Sequence, residues 1–412
     1  MREQPQHYVG IDIGTSSVRC IVGVIDQQDQ SKVSIIGHGL STNLGMRKGV
    51  IAHIDDVTDA IIKAINQAEQ VSGIHIQSAT VNINGSHIAG LNSRGVVAIS
   101  TANKEITTSD VSRVEEAATV IKLPPNREII QVFAKNYRID GQDNIKDPVG
   151  MQGIRLEVDT HIVTALSSNL KNVDLVLEKA HVRPTNYTVS SLASAEAVLS
   201  RQQKESGTLL VDIGAGTTNM VVVEDGEVQY VGVIPVGGIH LTNDLAIGLK
   251  TDLDIAEAVK VQHAGLGDQA KIGTISVSIQ KKNYSFDADE VAMITEARVE
   301  ELFELISKEL KRIHKSQKLP GGVVIVGGMA KMPGIADFAR EKLQLAARIG
   351  KAQPIGGLID TVNDPAFATS IGLMILDILL LPASSQRSGS GHDNGNVFGV
   401  LGGVWHKIKK NK

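Results

Sequence analysis

The hydrophobic pattern of the chain repeats itself once at long range. V-G-I-D-I-G-T-S-S-V at 9–18 and V-D-I-G-A-G-T-T-N-M at 211–220 each read as an apolar strand, a carboxylate, a glycine-containing turn with small hydroxyl residues, and a second apolar strand (19–25 and 220–223). Each predicts a β-hairpin whose tip carries no bulk, and Asp12 and Asp212 lie 200 positions apart. Self-similarity at that distance implies two structurally equivalent halves. After the first hairpin, 32–39 completes a strand and G-M-R-K-G-V-I at 45–51 is a glycine-punctuated turn. Asp55 is placed to cap a helix in which Val57, Ile61, Ile62, Ile65 and Ala68 recur at helical spacing until Gly73, and 78–83 is again a strand.

From Gly85 the pattern changes. Residues 88–100 have strand character that N-S-R-G at 92–95 is expected to break. A helix follows from about Ser109, with Val111, Val114, Ala118 and Ile121 on one face, until Pro124-Pro125 stops it. Strand-like runs at 128–139 and 153–166 complete a small set that carries no phosphate motif, so 85–161 is expected to be an inserted α+β domain and a contact surface. A helix at 171–180 and a strand near 184–189 lead to S-S-L-A-S-A-E-A-V-L at 190–199, whose small residues allow close helix packing. In the second half, Asp225-Gly226 is a two-residue hairpin turn. Helices are expected near 241–249, 255–261 and 296–314, with short strands within 262–291. G-V-V-I-V-G-G-M-A-K-M-P-G at 322–334 reads as strand, double glycine and a helix from about Pro333, and P-A-F-A-T-S-I-G at 365–372 repeats the small-residue character of 190–199.

The hairpins suggest chemistry. Gly14, Gly214 and Gly216 let backbone approach a ligand, tip N–H groups can face anionic oxygens, and Thr15, Ser16, Thr217 and Thr218 add donors. Asp12 and Asp212 would repel phosphate, so their sensible role is to hold a hydrated Mg²⁺ that bridges phosphates. One such hairpin is an ordinary turn; two imply lobes closing on one nucleotide. Gly327 and Gly328 can pass beside a purine or ribose, or simply make a tight turn. Glu257 and Lys260 share a helical face, by default as a solvated pair.

Composition narrows the classes. The chain has 412 residues, 42 % of them apolar, a net charge of −4 and 3 % aromatic residues, which describes a globular protein without the basic field or stacking surfaces of a nucleic-acid binder. The single cysteine, Cys20, lies in an apolar strand without an internal partner, which fits the cytosol. The polar N-terminus is not a signal peptide. The longest apolar run, 371–381, contains Asp377 and is shorter than the roughly 20 residues of a membrane span, so it reads as a core helix.

The end of the chain has its own pattern. Residues 383–396 are a Gly/Ser-rich linker with a reach of about 20 Å. Beyond it, Val397, Val400, Leu401, Val404, Trp405 and Ile408 fall on one helical face, with Phe398 beside them and Lys407, Lys409, Lys410 and Lys412 supplying charge. This is the pattern of a helix lying on an anionic bilayer, although docking on the protein's own body is the alternative.

Taken together, the paired D-I-G hairpins, the 190–199 connection, V-G-G-M at 326–329 and P-A-F-A-T-S-I-G resemble the nucleotide-pocket motifs of the actin, heat-shock chaperone and sugar-kinase superfamily. Within it, N-I-N-G-S-H-I-A-G-L-N-S-R-G-V-V from Asn82, the insertion and the detached tail resemble the bacterial cell-division FtsA family. The resemblance implies a two-lobed actin-like (ribonuclease H-like) α/β ATPase fold. The first lobe would hold 1–84, 162–195 and 366–382, with 85–161 inserted; the second would hold 196–245 and 315–365 with subdomain 246–314.

It further implies ATP and Mg²⁺ in the cleft. Asp12, Gly14, Thr15, Ser16, Gly214, Gly216, Thr217 and Thr218 would hold phosphates, and Asp12 and Asp212 the metal through water. Gly238 would join the cofactor site, Glu257 and Lys260 would face adenosine, and Gly327, Gly328 and Met329 would line its other side. Head-to-tail self-assembly, the tubulin-like partner FtsZ, other division proteins, and attachment to anionic lipids through Phe398, Leu401, Trp405, Lys407, Lys409 and Lys410 at the cytoplasmic face of the division site are also implied. Many hydrolysing relatives carry Glu-Pro where this chain has Ser190-Ser191, so at most slow ATP hydrolysis is expected, with Glu196 the nearest substitute. A pilus-assembly adaptor of the PilM type, or a sugar kinase or ATPase chaperone, is the rival reading.

Overall fold

The computed structural model describes residues 6–26, 33–101, 103–353, 355–358 and 363–380. The expected linker and amphipathic helix, with Phe398, Leu401, Trp405, Lys407, Lys409 and Lys410, lie outside the described residues.

Two sheets share one plan. In the first, His7–Ile13 pairs antiparallel with Ser17–Ile25 and parallel with Ser78–Ile83, giving the order Arg183–Val189, Ser78–Ile83, His7–Ile13, Ser17–Ile25, Val33–Thr42, Gly356–Gly357. In the second, Thr208–Ile213 pairs antiparallel with Thr218–Glu224 and parallel with Val323–Val326, between Glu227–Ile234 at one edge and Ala347–Ile349 at the other. The central strands read as near-continuous apolar runs because both faces are covered. Cys20 is among the buried positions. At the turn after the second hairpin, Asp225 and Gly226 have φ of 56° and 79°, the left-handed pair a two-residue hairpin needs.

Between the sheets lie two helices, Ser190–Val198 and Ala368–Leu379, which are apolar or small almost all round because they are enclosed on every side. They touch backbone to backbone: a methyl group on Gly372 would collide with the Ala193 carbonyl. Ser194 Oγ and Thr369 Oγ1 are 2.8 Å apart across the contact. Within the last helix, Asp377 is buried as an acceptor for Val9 N–H (3.1 Å) and the hydroxyls of Thr80 (2.8 Å) and Thr185 (2.7 Å).

Several local expectations are corrected. The helix Ile54–Ser72 starts after His53 without a side-chain cap; Asp55 lies in its first turn and pairs instead with Lys179 at 2.7 Å, while Gly73 closes the helix in the left-handed region. The N-S-R-G segment does not break its strand, since Ala89–Ala98 pairs without interruption with Arg155–Leu166. Gly95 is there because the helix Thr108–Thr119 crosses it, and a methyl at that point would strike the Val114 carbonyl. The long helix spans Ala288–Arg312, beginning earlier than its apolar stripe suggests because Asp287 caps the Asp289 N–H at 2.9 Å. The helix after the double glycine starts at Ile335, following a 3-10 turn at Gly328–Lys331.

The small sheet, in the order Ala89–Ala98, Arg155–Leu166, Arg127–Ile139, Gln142–Ile145, leans on the edge strand Glu227–Ile234. Val231 N–H donates to His161 Nε2 at 3.0 Å, and burial pushes that imidazole down to about 4, so it stays neutral and can accept. Lys146 reaches across to Glu205 (3.3 Å) and to the Asp225 carbonyl (3.1 Å).

Candidate nucleotide site

The tips of both hairpins open into one cavity of about 360 Å³. Each tip is closed the same way, by Gly14 N–H donating to Ser17 O (3.0 Å) and Gly214 N–H donating to Thr217 O (2.9 Å). Those two amides are therefore used within the tips, and the donors left to an anion are the neighbouring tip amides and hydroxyls. Asp12, Gly14, Thr15, Ser16, Asp212, Gly214, Thr217, Gly238, Glu257, Lys260, Gly327, Gly328 and Met329 all line the cavity.

Gly216 and Thr218 do not line it. Thr218 is the first residue of the returning strand, and its hydroxyl donates to the Val236 carbonyl at 2.8 Å. Gly216 packs across the cleft instead: a methyl there would come within 2.7 Å of Thr15 Oγ1. The glycine serves close approach of the two tips.

The carboxylates are the electrostatic centre. Asp12 Oδ1 accepts from Asn82 Nδ2 at 2.7 Å, and Arg19 stands 3.9 Å from Asp12 Oδ2. Burial pushes Asp12 up to about 7; the Arg19 guanidinium opposes the shift and the Asp212 carboxylate adds to it. Burial also raises Asp212, against the pull of the Thr369 hydroxyl, Arg19 and the Ser194 hydroxyl. Because each acid feels Arg19 and Asp12 feels Asp212, the two halves share one field.

At the other end, Glu257 Oε2 accepts from Thr242 Oγ1 and Lys260 Nζ, both at 2.5 Å, and Lys260 also reaches the Gly238 carbonyl at 3.3 Å. Glu257 is exposed, as a solvated pair would be, while Lys260 is largely covered and Thr242 and the Gly238 carbonyl fix its position. Gly238 N–H donates to Gly214 O at 2.9 Å, which ties this network to the second tip. Val261, Ala264, Met329, Met332 and Pro333 form an apolar slot beside it.

Sequence reasoning missed Arg19, Asn84, Lys331 and Thr369, which also line the cavity together with Ser190. Arg19 carried a signal: it stands directly opposite Asp12 in the hairpin register. Asn84 and Thr369 are brought in by contacts distant in sequence, Asn84 to Thr217 Oγ1 (3.3 Å) and Thr369 to Asp212 (3.1 Å). Glu196 is not available as a substitute acid, since it forms a buried ion pair with Lys204 at 2.8 Å.

Two lobes of one strand order, separated by a cleft and carrying a small inserted domain, define an actin-like α/β protein. Among solved structures, the chain resembles the PilM–PilN type IV pilus biogenesis complex (TM-score 0.64, 15 % identity, 90 % of this chain and 98 % of that one). It also resembles MreB5 of Spiroplasma citri bound to ADP (TM-score 0.56, 12 % identity, 93 % and 99 %) and the MamK double helical filament (TM-score 0.52, 13 % identity, 91 % and 99 %). The family model for the SHS2 domain inserted in FtsA matches residues 85–164, and that for cell division protein FtsA matches residues 209–372. Cell division protein FtsA of Bacillus subtilis is 38 % identical over 371 residues, covering 89 % of this chain and 82 % of the relative. That of Pseudomonas aeruginosa is 34 % identical over 374 residues, covering 89 % and 88 %. The chain belongs to the FtsA cell division protein family.

Proposed function

We propose that this protein binds ATP with Mg²⁺ in the cleft, assembles head-to-tail with copies of itself, and links FtsZ and other division proteins to the cytoplasmic face of the membrane at the division site. The observation that carries the reading is the convergence of the two acidic hairpin tips, Asp12 to Ser16 and Asp212 to Thr217, on one cavity. The tips would hold the phosphates, Glu257 and Lys260 the ribose end, and the apolar slot beside Met329 the base.

The donor set fits a hydrated Mg²⁺. Two carboxylates whose proton affinity burial raises, Asp12 also through the Asp212 charge, would be stabilised by a cation, and two are too few for an all-protein cage, so water and phosphate would complete the shell. When bound, the ion supplies charge neutralisation to the phosphates. Asp12 and Asp212 would orient its waters, Arg19 and the tip hydroxyls would position the phosphate oxygens, and Ser190, where a Glu would place an attacking water, leaves hydrolysis slow.

The domain reading stands alongside: 1–84, 162–195 and 366–382 as the first lobe, 85–161 as a polymerisation and partner surface, 196–245 with 315–365 as the second lobe, 246–314 as its subdomain, and 383–412 as linker and membrane-binding helix. Among the described residues no helix is long and apolar enough to cross a membrane. Attachment would rest on Phe398, Leu401, Trp405 and the lysines 407, 409 and 410, weak for one tail and strong for an array. Co-sedimentation with anionic liposomes tests this: the full chain should pellet with vesicles, more so with Mg-ATP, and a chain ending at Pro382 should stay in solution. Equal pelleting of both would remove the tail from the mechanism.

A further inference from the structure

The hairpin formed by Met46–Arg47 and Val50–Ile51 turns through Lys48 and Gly49, whose φ values are 49° and 74°. A two-residue turn with both central residues left-handed favours Asn, Asp or Gly at its first position. Lysine is poorly suited to it, and strained residues of this kind gather at functional sites.

The turn is pinned to both phosphate tips at once. Gly49 N–H donates to Thr15 Oγ1 at 3.1 Å, a methyl on Gly49 would come within 3.2 Å of Thr217 Cγ2, and a methyl on Gly216 would come within 3.2 Å of Lys48 Cα. The backbone at Lys48 is thus held against the first and second tips together, while its side chain is exposed.

Charge matching singles it out. The cations that line the cavity each already face a carboxylate: Arg19 faces Asp12 (3.9 Å), Lys260 faces Glu257 (2.5 Å) and Lys331 faces Asp364 (2.6 Å). Lys48 forms no ion pair with any described residue. Its ammonium is a mobile point charge on a flexible stem, suited to a phosphate that comes and goes. We propose that Lys48 is a positioning residue for the terminal phosphate, closing over the cleft mouth when a nucleoside triphosphate is bound and so distinguishing it from the diphosphate.

The inference rests on the nucleotide reading above, and the experiment separates the two. Full-length wild type, Lys48→Asn and Lys48→Arg are titrated with Mg-ATP and Mg-ADP by calorimetry, and the thermal midpoints of the nucleotide-free proteins are compared. Asn suits the turn, so Lys48→Asn should melt no lower than wild type. It should bind Mg-ATP about tenfold more weakly while Mg-ADP changes less than about twofold, and Lys48→Arg should keep most of the preference. A wild-type ATP-to-ADP affinity ratio in Lys48→Asn, or an equal loss of both ligands, overturns the role of Lys48 and leaves the cleft reading standing. If wild type binds neither nucleotide, both readings fall.

Discussion

The two hairpins share a backbone and differ in charge. Across the first, Asp12 faces Arg19; across the second, at the equivalent register, Asp212 faces Asn219. The first acid is braced inside its own lobe, by Arg19 and by Asn82, which also accepts from Ile13 N–H at 2.7 Å. The second is braced by the Thr369 hydroxyl, from the helix Ala368–Leu379 that packs against His7–Ile13 of the first lobe. Duplication preserved the geometry and left one half self-sufficient, while the other takes a bracing group from an element of its neighbour. The hydrogen bonding of Asp212 therefore depends on the helix Ala368–Leu379, while Asp12 takes its hydrogen bond from Asn82 and feels the other half through the Asp212 charge.

The contrast can be broken most strongly at the strand ends that flank each hairpin. Gly327, at φ 90°, follows the strand parallel to the second hairpin, and a side chain there would strike the Asp212 carboxylate. Gly327→Ala should lower stability by roughly 3–4 kcal/mol in chemical denaturation, while Asn84→Ala, just past the end of the corresponding first-lobe strand Ser78–Ile83, should cost about 1 kcal/mol. Next comes the counter-charge. Arg19→Ala leaves two buried carboxylates uncompensated and should cost about 2 kcal/mol at pH 8, against less than about 1 kcal/mol for Asn219→Ala; similar losses would erase the asymmetry.

A pH series sharpens it further. The folded pKa of Asp12 lies near 7, above its ordinary value of 3.8. The folded state therefore binds the proton more tightly, and nucleotide-free stability should fall as pH rises between those two values, by at most about 1.4 kcal/mol per unit. Asp12→Asn should flatten that slope. Mg²⁺ requires the ionised acid, so Mg-ATP affinity should weaken as pH is lowered through about 7, which calorimetry would read directly. The smallest effect on ATP affinity is expected at Thr218→Val, which should cost about 1 kcal/mol of stability and leave ATP affinity unchanged, because its hydroxyl serves the Val236 carbonyl.

The two-lobed fold was legible because its signal is local and repeated. An apolar strand, a carboxylate and a glycine tip occupy a few adjacent positions, and finding them twice is enough to pair the halves. Misreadings arose where one residue type serves two purposes. Gly95 reads as a turn residue within N-S-R-G, but in the sheet it makes room for a crossing helix. Thr218 belongs to the tip by composition and to the strand by register. Thr369 and Asn84 were out of reach because their partners lie 157 and 133 residues away, and no periodicity reports such contacts.

Asp377 has a consequence for how the molecule is made. Its carboxylate gathers Val9, Thr80 and Thr185, so strands synthesised early wait for a group near residue 380 before their inner ends are tied. The strands of the second sheet are all made by residue 349, yet one of their faces is covered by the same late helix, with Leu210, Val221 and Val324 in one buried cluster with Ile371 and Leu376. On a ribosome neither lobe would then finish before the last helix emerges, and the two halves would complete their cores together as a late step in synthesis.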